Sequence, residues 1–260
     1  MKNFIIYIIA IFAIFTVSAE TKTENYETRS IRAERYFSYK EWSSALAMYQ
    51  LMIDEQPGEV EPYYKSIVAG VMIGDTITQI DMLERTQQRG ISLEELFDGV
   101  RSVSFAIGEA QAYANFLLLV KSHQPWLNRG INIYLLDYYS FRNDPENTIK
   151  IAEELLAQTP DNIEYMEILA KAHITDGNID KATIYYKSIL AIDSNNYNAL
   201  LALGNYYALK LLSPNDSTQT SLSQEDLTAL AQTYLYDAYN LHPTPYVAQL
   251  LSKISSHTTF

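Results

Sequence analysis

Four histidines, one turn of alternating polar residues and scattered adjacent carboxylates are the groups in this 260-residue chain that could do chemistry. The histidines stand at 123, 173, 242 and 257, and no two have the spacing with which one helix face or loop holds a metal ion. Asp176, Asn178 and Asp180 alternate like the opening of a calcium loop. Lys181, however, takes the place of the required glycine, and no bidentate Glu closes the loop. Turn formation accounts better for these short polar side chains, which bond their own backbone. Glu94-Glu95 and Glu153-Glu154 read as ordinary helix-surface charges. No phosphate-cradling loop, nucleophile elbow or dinucleotide fingerprint is present. The chain has no cysteine, which excludes disulfides and thiol chemistry. Asn215-Asp216-Ser217 is formally a glycosylation triplet. No enzymatic activity, cofactor or metal site is expected.

What organises the chain is a fixed interval. Gly74 and Gly108 lie 34 residues apart, Asn143 follows 35 later, and Gly177 another 34. Pro57 and Pro125 are two such steps apart, Pro160 is 35 further on, and Ser194 another 34. Tyr139, His173 and Tyr207 repeat at 34 and 34, so His173 stands in a slot where other repeats carry a packing Tyr. A period of that length predicts stacked units of paired helices, which present surfaces and rarely carry out reactions. Units are expected at 26–59, 60–93, 94–128, 129–162, 163–196 and 197–245, the last with a polar insertion at 213–226. A capping helix over 246–254 and a tail over 255–260 follow.

The unit from Ile163 is the clearest. Met166, Leu169, Ala170 and His173 share one helical face, and Asp176-Gly177-Asn178 forms a turn. Asp180 to Ala191 forms the second helix, with Ala182, Tyr186 and Ile189 inward. Leu169-Ala170, Gly177, Ala182, Tyr186 and Asp193-Ser194-Asn195 resemble a tetratricopeptide repeat, with Ser194 in place of the usual closing Pro. Ala33, Tyr36, Ala45, Tyr49 and Pro57 carry the resemblance in the first unit. Leu135, Tyr139, Asn143, Leu155 and Pro160 carry it in the fourth. Leu203, Gly204, Tyr207, Ala231, Leu235, Ala238 and Pro243 carry it in the last. The resemblance implies an all-α fold, a right-handed α-solenoid of about six antiparallel helix pairs plus a C-terminal capping helix. Two units depart from it. Gln79 and Thr86 in the second, and Arg101 and Tyr113 in the third, stand where small residues are expected, so those helices should sit further apart or be rotated. Ser92 to Lys121 is open to a longer, bent helix instead.

Lys2, the apolar run Phe4 to Val17 and the small residues Val17-Ser18-Ala19 read as a secretory signal peptide over residues 1–19. The run is shorter than the roughly 20 residues of a membrane-spanning helix, so cleavage is expected rather than a retained anchor. A short polar leader at 20–25 follows. Export without cysteine suits a periplasmic or secreted, envelope-associated protein. The formal net charge of −12 argues against nucleic acid and anionic lipid, and favours cationic or neutral partners.

The tetratricopeptide resemblance implies that the first helix of each pair lines a concave binding face. The residues expected there are mostly acidic or apolar. Glu27, Glu34, Phe37, Glu61, Tyr64 and Val68 come from the first two units, and Glu95, Asp98 and Phe105 from the third. Ile133, Asp137, Phe141, Glu164, Glu167, Lys171, Asn198 and Asn205 come from the remaining three. Of these, Glu34, Phe37, Tyr64, Asp98, Phe105, Asp137, Phe141, Glu164, Glu167 and Asn205 are the candidate partner-binding residues. Such a surface suits a protein or peptide that is basic or neutral and has apolar anchors. Ser30 and Glu34 stand where a clamp for a chain-terminal carboxylate would need donors, so acidic chain ends are not expected as ligands. Two other readings stay open. One is a glycan-binding or helical envelope enzyme component using Asp98 and Asp137 as acid and base, with Tyr134, Tyr138 and Tyr185 not assigned to the core. The other is an accessory subunit of a larger envelope assembly that makes contact through its convex face.

Overall fold

The computed structural model describes residues 25–213 and 222–257. The signal peptide, most of the leader, Asn215-Asp216-Ser217 with most of the insertion, and residues 258–260 of the tail lie outside the described residues. Among the described residues every regular element is helical. The chain divides into two compact units, residues 1–125 and 126–260. Unit one contains α1 (Tyr26–Ser38), α2 (Trp42–Glu55), α3 (Glu61–Ile73), α4 (Thr76–Gln88), α5 (Leu93–Ala106) and α6 (Ala110–His123). Unit two contains α7 (Asn128–Phe141), α8 (Pro145–Leu156), α9 (Ile163–Thr175), α10 (Ile179–Ile192), α11 (Tyr197–Leu212), α12 (Gln224–Leu241) and α13 (Pro245–His257). A short 3₁₀ turn, Pro125–Leu127, precedes α7. The architecture is the expected all-α helical repeat, six helix pairs and a closing helix.

Among the described residues, five pair turns close in the same way. Lys40, Gly74, Gly108, Asn143 and Gly177 all have positive φ, between 53° and 80°. Each donates its N–H to the carbonyl three residues back, and the next residue donates to the carbonyl five back. Gly177 N bonds Ile174 O at 3.0 Å and Asn178 N bonds His173 O at 2.8 Å; Lys40 N bonds Phe37 O at 3.0 Å and Glu41 N bonds Tyr36 O at 2.9 Å. This left-handed stop satisfies the last carbonyls of the first helix and reverses the chain within a few residues. Lys40 is thus the first mark of the interval that begins, by residue type alone, at Gly74. Most second helices end differently. Gln56, Gln124, Asp193 and His242 have φ between −124° and −140° with ψ between 74° and 94°. Three of the four precede Pro57, Pro125 and Pro243, and a proline disfavours helical backbone in the residue before it.

The pairs are held together by differences in side-chain size. In α9–α10, the small Ala170 and Ala182 are buried in one core cluster with the large Tyr186 and Ile189. In α11–α12, a methyl group on Gly204 would come within 2.7 Å of Leu235, so the missing side chain is what admits the leucine. The same device operates in α3–α4. Gln79 packs where Gly70 has no side chain; a Cβ there would lie 3.2 Å from Gln79 Cγ. Thr86 is buried with its hydroxyl bonded to Met82 O at 2.6 Å. In α5–α6, Arg101 is exposed rather than inward, while Tyr113 is buried. The stretch from Ser92 to Lys121 is two helices broken at Gly108, not one bent helix. The closing helix α13 buries Val247, Leu251 and Ile254 against the core of unit two.

His173 fills its tyrosine slot at 3% exposure, stacked on Tyr185 with ring centroids 5.6 Å apart. Its Nδ1 has no hydrogen-bond partner. Burial, reinforced by the positive charge of Lys181, holds its pKa below the ordinary 6.5. The neutral ring is therefore the folded form, and the unfolded chain binds the proton more readily.

Gly177→Ala should lower stability by about 1–2 kcal/mol, because an L side chain resists the left-handed backbone. Lys40→Gly should raise it by about 0.5 kcal/mol, since relief of that strain exceeds glycine's entropy cost; urea unfolding measures both. Stability should also fall as pH drops from about 6.5 toward the depressed pKa of His173. His173→Tyr should flatten that slope in thermal melts between pH 7 and 5, and parallel wild-type and variant curves would refute the assignment.

Candidate partner-binding surface

In unit one the expected acidic face is largely engaged by the chain itself. Lys65 of α3 donates to Glu34 of α1 at 2.7 Å and to Glu61 at 2.6 Å, with its own side chain 12% exposed. Tyr49 of α2 donates to the same oxygen of Glu34 at 2.7 Å. Burial alone would lower the pKa of Lys65, but its bonds to Glu34 and Glu61 reverse that and hold the ammonium above its ordinary range. Burial, then the Glu34 carboxylate, pushes the Tyr49 phenol far up. Glu34 therefore ties α1, α2 and α3 together before any partner arrives.

Phe37 is a correction. Its ring is 6% exposed and packs edge-on against Trp42 at 5.1 Å and Tyr49 at 6.0 Å. It follows Ala33 by one helical step of four, so both lie on the buried stripe of α1. Val68 is likewise fully buried in α3. Tyr64 is half-buried because its ring lies over Gly99 of α5, where a Cβ would sit 2.1 Å from Tyr64 Cδ1. Burial first, then Glu61, raises its phenol pKa, with Glu34 and Glu95 adding to the effect. The sequence offered no sign of that contact beyond an isolated glycine inside a helix. Asp98 is exposed beside Arg101 at 3.6 Å, and Phe105 is 37% exposed at the end of α5.

In unit two the outward face of the first helices is more open. Asp137 is exposed on α7, in line with Ile133 at 49% and Phe141 at 75% exposure. Trp126, in the short turn before α7, is 75% exposed. Glu164 is exposed on α9, and Glu167 is mostly covered, with its carboxylate 3.4 Å from Lys171. Asn205 is a second correction. It accepts a hydrogen bond from Tyr246 at 2.9 Å, because α13 packs against α11 and engages it. A cleft of about 210 Å³ opens between the end of α7, the start of α8 and the second half of α9.

The remaining polar and aromatic residues have structural partners. Asp180 accepts from Tyr206, and from Lys210 at 3.1 Å, and these two bonds lower its pKa in that order. Asn178 donates to Asp176 at 2.6 Å within the turn. Tyr138 packs against Tyr139, and Tyr185 against His173. Asp98 and Asp137 belong to different units. No group of carboxylates and histidines among the described residues could hold a metal ion. No described helix is long and apolar enough to cross a membrane.

The helical hairpins, their turns at 34 or 35 residues and their small-residue contacts make the chain tetratricopeptide-like. No family model matches the sequence, and no curated protein matches it significantly. Among solved structures it is similar to a putative protein-binding protein from Bacteroides ovatus, with 16% identity over 76% of this chain and 97% of that one and a TM-score of 0.49. It is also similar to a TPR repeats protein from Bacteroides fragilis, with 15% identity, 90% and 99% coverage and a TM-score of 0.36. The TPR2AB domain of yeast Sti1, in complex with pHSP90, shows 11% identity, 88% and 98% coverage and a TM-score of 0.36. At this level of likeness, sites and partners do not transfer.

Because Lys65 bridges two carboxylates while almost covered, Lys65→Met should lower stability by about 1–2 kcal/mol in urea unfolding. Lys65→Arg, which keeps the charge, should cost less. Equal effects of the two would mean that chain packing, rather than charge, holds α1 to α3.

Proposed function

We propose that this protein is a non-catalytic binding scaffold that holds a peptide or protein segment on the outward face of its first helices. The observation that carries the reading is the face of unit two. There Ile133, Phe141 and Ile174 stay 46–75% exposed while carboxylates flank them. Apolar side chains left in water beside charge mark contact surfaces when they fall in line on one face. A partner with Lys or Arg and spaced apolar anchors complements this surface, and the chain's net charge of −12 would speed its encounter. In unit one the exposed candidates include Asp98 and Phe105. The N-terminal signal pattern supports an exported, periplasmic or secreted location in the bacterial cell envelope.

In-cell cross-linking of a tagged copy tests this, against a copy carrying Asp137→Lys and Glu164→Lys. One envelope protein should be captured by the first and lost, by about tenfold, with the second. Equal capture by both would move the contact to another face, as an accessory subunit would have it. Turnover of an envelope glycan that depends on Asp98 or Asp137 would replace the scaffold reading by an enzymatic one.

A further inference from the structure

The cleft of unit two is bounded by Ser140 at the end of α7, Asn143 and Asp144 in the turn, Pro145 and Thr148 in α8, and Ile168, Lys171, Ala172 and Thr175 in α9. Its volume, about 210 Å³, is below the roughly 300–1,000 Å³ typical of sites for whole small molecules. It is large enough for one side chain. Ile168, Ala172 and Pro145 supply apolar walls. The hydroxyl of Thr148 is bonded to Asp144 O at 2.6 Å and that of Thr175 to Lys171 O at 3.1 Å, so neither leaves an unmet donor at the cleft. The surroundings are electronegative. Helices α7 and α9 end here with partial negative charge, and α8 begins here with partial positive charge that the Asp144 carboxylate caps through Asn147. Residues 137–148 and 164–176 hold six carboxylates against two cations, and the Lys171 ammonium already faces Glu167 at 3.4 Å.

We infer that this cleft is a socket for a single aliphatic side chain of a basic peptide segment. The inference rests on the scaffold reading and assigns its anchor point. The apolar walls receive the side chain, and the excess of carboxylates around the cleft attracts the basic residues on either side of it. Acidic flanks are rejected by the same charges.

The test uses the full mature chain and three short capped peptides: Lys-Lys-Leu-Lys-Lys, the same with Ser for Leu, and the same with Glu for every Lys. Methyl NMR reads Thr148, Ile168, Ala172 and Thr175. The leucine peptide should shift these four, and the other two should bind about tenfold more weakly. Ser140→Trp and Thr175→Trp, both at exposed positions, should block the shifts while leaving the helical circular dichroism unchanged. Shifts elsewhere on α7 or α9 without the cleft methyls would overturn the socket and leave the scaffold reading standing. Equal binding of the serine peptide, or undiminished binding by the tryptophan variants, would also overturn it. No shift anywhere with any peptide would count against both.

Discussion

The left-handed backbone at the end of five first helices is the constraint on which the rest depends. An L residue resists that conformation, so each turn selects Gly, tolerates Asn143, and is strained at Lys40. The payoff is geometric. The same pair of hydrogen bonds closes each turn, so the second helix starts from an equivalent position every time. Repeated hairpins within each unit follow from that repeated start.

Given the turns, close packing is achieved by exchanging size between neighbours rather than by a fixed consensus. Ala170 and Ala182 share a cluster with Tyr186 and Ile189, Gly70 makes room for Gln79, Gly204 for Leu235, and Gly99 for the ring of Tyr64. A core at crystal-like density requires the sum of facing volumes to be right, and several partitions of that sum are equivalent. This explains how the α3–α4 pair departs from the expected residues.

Charge links helices in both units. In unit one, Lys65 gathers Glu34 and Glu61 into an internal link between helices. In unit two, Asp180 of α10 gathers Tyr206 and Lys210 of α11, while Asp137 and Glu164 stay exposed. A carboxylate count taken along the chain treats linked and exposed groups alike.

The sequence by itself determined the helical-repeat class, because the period resides in turn residues whose backbone chemistry is local. It also marked the buried stripe of α9 and α10, since spacings of three and four residues report one helix face directly. It placed Phe37 and Asn205 on an open surface and could not see Gly99 beneath Tyr64 or Lys65 between two carboxylates. Those facts depend on which helices lie side by side, and on how far a long side chain reaches across the gap. A one-dimensional pattern records what a residue can do; only the packed helices decide whether its partner is already present in the same chain.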